Sequence, residues 1–234
     1  MKTSTEGLIA LIGHEGIVLS RYKDSVGVFT IGVGHTKAAG GLNPEVFSGT
    51  LTMQQALDLL RTDIVKYENG VNAAVKVPLA QHEFDALVSF HFNTGSIGKA
   101  SFVKKLNAGD RAGAMKGIMD WRKPAEIIPR RTAERDLFRT GVYPAPFATV
   151  YPATASGQVL WGKGTRVNVS DLLRVARPVV PVPTPKPVVA PPAPPVAESK
   201  PISPPATIER QPSTGNWLAT LLSALLAALK GNKA

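Results

Sequence analysis

Three residues near the start of the chain combine two carboxylates with a hydroxyl: Glu15, Asp24 and Thr30, in the segment EGIVLSRYKDSVGVFTIGVGH. Hydrolysis of a glycosidic bond needs a protonated carboxylic acid for the leaving oxygen. It also needs an ionised carboxylate that activates water or attacks directly. The spacing therefore makes Glu15 and Asp24 a candidate pair for this chemistry, with Thr30 as a hydroxyl that holds a water or a sugar hydroxyl.

The two acids need different environments, so that one keeps its proton while the other is ionised. Glu15 follows an apolar helical stretch and is expected to keep its proton, whereas Asp24 lies in a polar turn and is expected to be ionised. Spacing alone leaves a second interpretation open, in which both acids are surface charges beside a turn.

A short helix and two strands are predicted to position this pair. The pattern Thr3-x-x-Glu6 is typical of a capping box, and the apolar residues 8–12 follow it with helical spacing. Gly16 is expected to end the helix, which places Glu15 at its C-terminal boundary. The period then changes to that of two strands, Leu19–Lys23 and Val26–Val33, joined by a turn at 24–27.

Helices dominate the sequence after these strands. Thr52-x-x-Gln55 is a second capping-box pattern, and it precedes a long helix that is expected to reach about Val75. Four shorter helices are predicted after Pro78, around 84–94, Ser101–Ala108, Arg111–Trp121 and Arg130–Arg139. The predicted fold class is α+β and mainly helical: a small antiparallel sheet lobe, a long connecting helix and a helical lobe.

The C-terminal third divides into three further segments after a main domain at 1–143. Residues 144–176 are predicted to extend that domain, with a small hairpin in 159–169 and a short helix capped by Ser170. Residues 177–212 are expected to form an extended linker, because 13 of the chain's 20 prolines lie within 178–212. Residues 213–234 contain Trp217–Leu229, in which leucines recur on one predicted helix face.

The net charge of +10 suits an anionic partner such as a nucleic acid, an acidic membrane surface or a bacterial wall polymer. Few aromatic residues and no RNA-type motif are present, so nucleic-acid binding is not expected. The chain has no cysteine, which excludes disulfides and thiolate sites. No secretion signal is recognised at the N-terminus, and Trp217–Leu229 is shorter than the ~20 residues that span a bilayer.

The order Glu15, Asp24, Thr30 and then IGVGH ending at His35 strongly resembles the signature of the phage-type lysozymes, the endolysins related to those of bacteriophage T4 and the lambdoid phages. The resemblance covers about residues 3 to 143. It includes three later segments in the same order: LLRTD at 59–63, SFHFNTG at 89–95 and PRRTAERDLFRTG at 129–141.

This resemblance implies a two-lobed lysozyme-like fold and a muramidase that hydrolyses the β-1,4 bond between N-acetylmuramic acid and N-acetylglucosamine in peptidoglycan. Glu15 would be the general acid, Asp24 the base or electrostatic partner, and Thr30 the residue that positions the attacking water. The family is regarded as inverting, and it needs no metal or organic cofactor.

The resemblance also implies second-tier residues. His35 is expected to pair with Asp63 between the lobes, either as a structural ion pair or as part of the substrate site. Phe92 and Asn93 are candidate sugar contacts, although Phe92 could equally be core, and Asn93 needs a polar partner in its apolar helix. Three arginines near the end of the domain either bind the wall's peptide carboxylates or tie the last helix to the body: Arg130, Arg131 and Arg135.

The expected biology is that of an endolysin made in the host cytoplasm that acts on the cell wall as a monomer, with a holin for release. Trp217–Leu229 would contact the membrane, dock on the body or self-associate. Two alternatives remain from the sequence. One is a lytic transglycosylase, against which Asp24 and Thr30 argue. The other is a non-catalytic wall-binding or membrane-active protein on a lysozyme scaffold.

Overall fold

The computed structural model describes residues 1–174. The predicted linker at 177–212 and the predicted tail helix lie outside the described residues. The helices within 1–174 are α1 (Thr5–Glu15), α2 (Met53–Ala74), α3 (Gln81–Thr94), α4 (Ser101–Asn107), α5 (Arg111–Ile118), α6 (Ile128–Thr140) and α7 (Ser170–Arg174). The strands are β1 (Val18–Lys23), β2 (Phe29–Gly32), β3 (His35–Thr36), β4 (Phe147–Val150) and β5 (Thr165–Asn168). The architecture is mainly helical with a small antiparallel sheet, as the sequence predicted.

The sheet lobe is an antiparallel meander in the order β1-β2-β3. The turn between β1 and β2 is closed by a hydrogen bond from the Gly27 N–H to the Asp24 carbonyl, at 3.0 Å. The second strand begins at Phe29, later than the sequence predicted. The reason is that the N–H groups of Val26 and Val28 donate to the Asp24 carboxylate.

The long helix α2 begins with the predicted capping box. The Gln55 N–H donates to the Thr52 hydroxyl at 3.1 Å, and the Thr52 N–H donates to the Gln55 side chain at 2.8 Å. Both bonds satisfy N–H groups that the first turn of a helix cannot pair. The helix ends at Ala74, close to the predicted end, and it contacts both β2 and α3.

The helical lobe is built around α3, whose apolar side chains are almost entirely removed from solvent. Phe84, Leu87 and Phe90 are 0% exposed, and Phe90 meets Phe102 of α4 edge-on at 4.9 Å. Burial of each such side chain stabilises the fold by about 1.5–3 kcal/mol. Helix α6 packs against α3 and ends at Gly141, which has the left-handed backbone conformation that glycine favours.

Two further local predictions are wrong. The helix α1 is capped by Ser4 rather than by Thr3, because the Ser4 hydroxyl accepts from the Gly7 N–H at 2.9 Å while also donating to Asp85 at 2.5 Å. The second error is the hairpin within 159–169. The strand β5 pairs instead with β4, and residues 161–163 form a 3₁₀ turn.

The segment after α6 packs against α1 and α2 through its strand β4 and its short helix α7. Val169 and Leu173 join the main hydrophobic core. Arg61 of α2 donates to the Leu173 carbonyl at 2.8 Å, so the C-terminal end of α7 is hydrogen-bonded to the body. Within residues 1–174, none of the helices is both long and apolar enough to cross a membrane.

Candidate active site

Glu15 is the last residue of α1, and its side chain is only 2% exposed. Its Oε1 accepts from the Arg130 Nη1 at 2.6 Å, which forms a buried ion pair between α1 and α6. The same guanidinium donates through Nε to Glu134 at 2.9 Å and through Nη2 to the Ser89 carbonyl at 3.0 Å. Arg130 is therefore held by three partners, and it presents one N–H to Glu15.

Burial raises the pKa of the Glu15 carboxyl above its ordinary value, and the charge and hydrogen bond of Arg130 oppose that rise without cancelling it. The nearby Glu134 charge adds to the rise. A raised pKa keeps a carboxylic acid protonated at higher pH, which is the state that a proton donor requires.

Asp24 begins the turn after β1 and is 7% exposed. Its Oδ1 accepts from the N–H groups of Val28 at 2.8 Å and Val26 at 3.0 Å. Its Oδ2 makes no hydrogen bond within the described residues. The two backbone donors orient the carboxylate and stabilise its negative charge, while the second oxygen remains unused by the protein.

Thr30 lies in the middle strand β2 and is fully buried. Its hydroxyl donates to the Val28 carbonyl at 3.2 Å. In the strand register Thr30 is directly opposite Tyr22 of β1, and residues opposite each other in an antiparallel pair share a face of the sheet. The Thr30 side chain therefore lies beside Tyr22.

Tyr22 connects the two acids electrostatically. Burial raises the pKa of its phenol, and the negative charges of Glu15 and Asp24 raise it further. The charges of both carboxylates therefore act on the buried phenol. Tyr22 is thus linked to Thr30 by strand register and to Glu15 and Asp24 by their charges.

A cavity of about 340 Å³ opens between the sheet lobe and α2. Asp24 lines it, together with exposed valines of the turn, aliphatic residues that follow β3, and aromatic residues of α2 and α3: Val26, Val28, Ala38, Ala39, Tyr67 and Phe92. Apolar walls with a few polar groups are typical of sites that bind sugar-sized ligands. The Lys66 ammonium also lines the cavity and lies 4.9 Å from the centre of the Tyr67 ring.

The predicted partner of His35 is confirmed. His35 is 1% exposed, with Nδ1 at 2.8 Å from Asp63 Oδ2 and Nε2 at 2.8 Å from the Leu42 carbonyl oxygen. Burial lowers the His35 pKa, but Asp63 and Leu42 outweigh it and the net direction is upward. Both ring nitrogens therefore have partners within the fold, and the expected ion pair is present, while a role of His35 in substrate binding stays a prediction.

Phe92 and Asn93 lie side by side on α3 but differ in their surroundings. Phe92 lines the cavity and meets the Tyr67 ring at 4.7 Å, so it is both a core residue and a wall of the cleft. The Asn93 side chain accepts a hydrogen bond from Arg131, a buried residue of α6. The polar partner expected for Asn93 is therefore Arg131, and the structure shows no contact of Asn93 with the cavity.

Two residues contribute to the site in ways that the sequence pattern does not show: Arg130, which pairs with Glu15, and Tyr22, which is buried opposite Thr30. Arg130 follows Pro129 in an arginine-rich run, a composition that also occurs on solvated helix faces, and only the packing of α6 on α3 brings it to Glu15. Within residues 1–174 there is no group of three or more His, Asp or Glu side chains placed to hold a metal ion.

Comparison with known proteins gives concordant matches. The phage lysozyme family model matches residues 12–134. The endolysin of Salmonella phage P22 is 37% identical over 147 residues, which is 59% of this chain and 98% of that protein. The SAR-endolysin of Escherichia phage Mu is 35% identical over 114 residues, 48% of this chain and 63% of that protein.

Two solved structures are similar in both fold and sequence. An endolysin from Escherichia coli O157:H7 phage FAHEc1 matches with a TM-score of 0.56 and 35% identity, covering 62% of this chain and 97% of that one. A mutant P22 lysozyme matches with a TM-score of 0.55 and 34% identity, covering 60% of this chain and 99% of that one. These similarities cover the α+β body and confirm its lysozyme-like fold.

Proposed function

Because the chain belongs to the phage lysozyme family, we propose that it is an endolysin: a muramidase that hydrolyses the β-1,4 bond between N-acetylmuramic acid and N-acetylglucosamine in bacterial peptidoglycan. The observation that carries this proposal is the contrast between the two carboxyl groups. Glu15 is buried with a raised pKa, whereas Asp24 is oriented by two backbone N–H groups and keeps one oxygen unused.

Glu15 is the general acid in this mechanism. Its raised pKa keeps the carboxyl protonated, and the acid donates this proton to the glycosidic oxygen as the bond breaks. When the proton leaves, the new carboxylate faces the Arg130 guanidinium, which stabilises the charge that develops on Glu15. The acid therefore has a partner in both of its states.

Asp24 is the base and electrostatic partner. Its Oδ2 accepts a proton from the attacking water, or stabilises the positive charge that develops at the anomeric carbon. The Thr30 hydroxyl, beside Tyr22, positions that water. We propose inversion at the anomeric carbon, which the resemblance to the phage-type lysozymes implies and which requires a water between the two acids.

The wall of the cleft holds the glycan. Sugar rings pack against Phe92 and Tyr67, which present aromatic surface to the cavity. The Lys66 ammonium lies at the same cavity, where it meets the carboxylates of the muramic peptide stems.

The experiment that tests this function measures lysis of purified cell wall by Glu15→Gln and Asp24→Asn. Both substitutions keep the shape of the side chain, and Asn retains an oxygen for the Val26 and Val28 N–H groups. We expect loss of at least about 10²-fold in each, the scale of general acid–base catalysis. Glu45→Gln is the matched control, because Glu45 is an exposed carboxylate paired with Lys37. Wild-type lysis by Glu15→Gln would contradict the proposal and favour a non-catalytic scaffold.

We further propose that the enzyme works as a monomer and reaches the wall through a holin, and that Trp217–Leu229 contacts the membrane. The membrane contact is supported by the leucine stripe, which Lys230 and Lys233 follow. Co-sedimentation with anionic vesicles compares the full chain with one that ends at Ala176. Equal, negligible binding by both would contradict the membrane contact.

A further inference from the structure

The segment Phe147–Leu173, here called the strap, lies beyond the residues that the family model matches, which end at 134. It runs along β1, the strand that connects Glu15 to Asp24. The Ile17 N–H donates to the Thr149 carbonyl at 2.9 Å, and the Tyr151 N–H donates to the Ile17 carbonyl at 2.8 Å. The strap is therefore hydrogen-bonded to the chain two residues after Glu15.

A second backbone contact lies at the other end of β1. The Lys23 N–H donates to the Gly157 carbonyl at 3.0 Å, one residue before Asp24. Gly157 is buried, and a Cβ there would lie at ordinary contact distance, 3.5 Å, from both the Lys23 nitrogen and the Tyr22 Cα. The strap thus holds both ends of the segment that joins the two proposed catalytic carboxylates.

The ring of Tyr151 is wedged between two glycines. A Cβ at Gly16 would lie 2.8 Å from its Cε2, and a Cβ at Gly164 would lie 2.6 Å from its Cε1. Gly16 directly follows Glu15 and has a φ of 71°, a conformation that other residues rarely adopt. The ring therefore rests on the backbone at the point where α1 ends and the Glu15 side chain is presented.

The strap also contacts Tyr22, the aromatic residue whose pKa the charges of both acids raise. Val159 of the strap forms a buried cluster with Tyr22 and Val18, and Tyr151 and Trp161 pack against that cluster. The Tyr151 and Trp161 rings meet at 5.0 Å, close to edge-on. One apolar cluster therefore joins the strap to Tyr22 on β1.

We propose that the strap is a positioning element and that Tyr151 is a positioning residue, which fix Glu15 relative to Asp24. This inference rests on the proposed hydrolytic function. Acid catalysis depends on the placement of the reacting groups, and a displacement of about 1 Å can cost about 10²-fold in rate. Loosening the Gly16 backbone lets Glu15 move and admits water to it, without removing any group that touches substrate.

The strap itself offers a matched control. Leu173, in α7 at its far end, is buried in the main core and not in the cluster around Tyr22. Leu173→Ala removes a buried strap side chain, as Tyr151→Ala does, but acts on the contact with α1 and α2. A purely structural strap predicts that both variants behave alike.

The experiment uses the full chain and soluble peptidoglycan fragments, and measures kcat, KM, the pH profile of kcat and Tm. We expect Tyr151→Ala to lower kcat about tenfold or more with little change in KM, and to move the high-pH limb to lower pH because water reaches Glu15. Tyr151→Phe keeps the ring and should retain wild-type kcat. Leu173→Ala should lower Tm with kcat unchanged below the unfolding transition.

Val159→Ala, a smaller deletion in the same cluster, tests the proposal if Tyr151→Ala does not fold, and it should show the same signature to a lesser degree. Wild-type kcat and pH profile in folded Tyr151→Ala or Val159→Ala would overturn the proposal, as would an equal loss of kcat in Leu173→Ala. The proposed function is tested separately. If the wild type is active and Glu15→Gln is not, that function is supported whatever the strap variants show.

Discussion

Burial raises the Glu15 pKa and Arg130 opposes that rise, so the removal of Arg130 should change the pH range of activity. Its guanidinium lies 2.6 Å from the Glu15 carboxyl, and both side chains are 2% exposed. In Arg130→Met the cation is lost, while burial and the nearby Glu134 charge remain. Both of these raise the Glu15 pKa. The pKa of Glu15 should therefore rise further.

The size of this effect follows from the contact. A hydrogen bond to a charged group contributes about 1.5–3 kcal/mol. The ionised form of Glu15 should lose stabilisation on this scale in Arg130→Met, which moves the Glu15 pKa upward. Removing one partner of a buried ion pair also costs about 3–5 kcal/mol of stability. Arg130→Lys keeps the charge and should show a smaller change in both quantities.

The assay is the pH dependence of kcat on soluble peptidoglycan fragments, at a temperature where circular dichroism shows each variant folded. Because Glu15 acts as an acid, activity falls as pH rises through its pKa, so the high-pH limb of Arg130→Met should move to higher pH. Arg135→Met is the matched control, since it removes a partly exposed arginine of the same helix that pairs with Asp136. An unmoved limb in Arg130→Met, or an equal movement in Arg135→Met, would refute the assignment.

Three other predictions concern charged groups around the site. Because the His35 pKa is raised, its ion pair stabilises the fold below about pH 6.5, and this stability is lost as pH rises through the pKa of the folded state. Asp63→Asn should therefore lower the free energy of unfolding in urea by about 3 kcal/mol at pH 6 and by less at pH 9. An equal cost at both pH values would contradict the ion pair. Burial, followed by the charge of Arg130, lowers the His14 pKa to about 4, so protonation of His14 in the unfolded state destabilises the fold as pH falls from about 6.5 toward 4. Between pH 7 and 4.5, the free energy of unfolding of His14→Gln should fall by about 2 kcal/mol less than that of the wild type. The same pH dependence of stability in both proteins would contradict a neutral His14. Lys66→Gln should raise KM several-fold for glycan that carries peptide stems but not for glycan whose stems an amidase has removed. Lys104→Gln, at an exposed lysine, is the control. Equal changes in KM on both substrates would contradict a contact between Lys66 and the stems.

Much of the sheet lobe was predictable because its determinants are local. The Asp24–Gly27 turn depends on a carboxylate that accepts from N–H groups two and four residues later, and α2 begins with a capping box four residues long. Such contacts depend on neighbours in sequence, which a single sequence displays.

The errors occur where a distant residue decides the local structure. Ser4 rather than Thr3 caps α1 because Asp85 of α3 accepts from both the Ser4 backbone N–H and its hydroxyl. The strand β5 pairs with β4, and β4 in turn lies beside Ile17, so neither partner is adjacent in sequence. Local pattern cannot choose between such pairings, since the same residues suit a local hairpin.

The candidate site shows the same division. The resemblance selected Glu15, Asp24 and Thr30 as candidates and predicted the observed His35–Asp63 pair, because these residues lie in a compact motif and one following helix. The contact of Arg130 with Glu15 and the burial of Tyr22 depend on how α6 and the strap pack, and no short pattern encodes that packing.

The most direct test of the central claim is mass spectrometry of wall glycan digested by the wild-type chain in ¹⁸O-labelled water. An acid at Glu15 and a water-activating carboxylate at Asp24 predict reducing muramic acid ends that carry one ¹⁸O atom. Anhydro-muramic ends without the label would contradict hydrolysis and indicate transglycosylase chemistry instead.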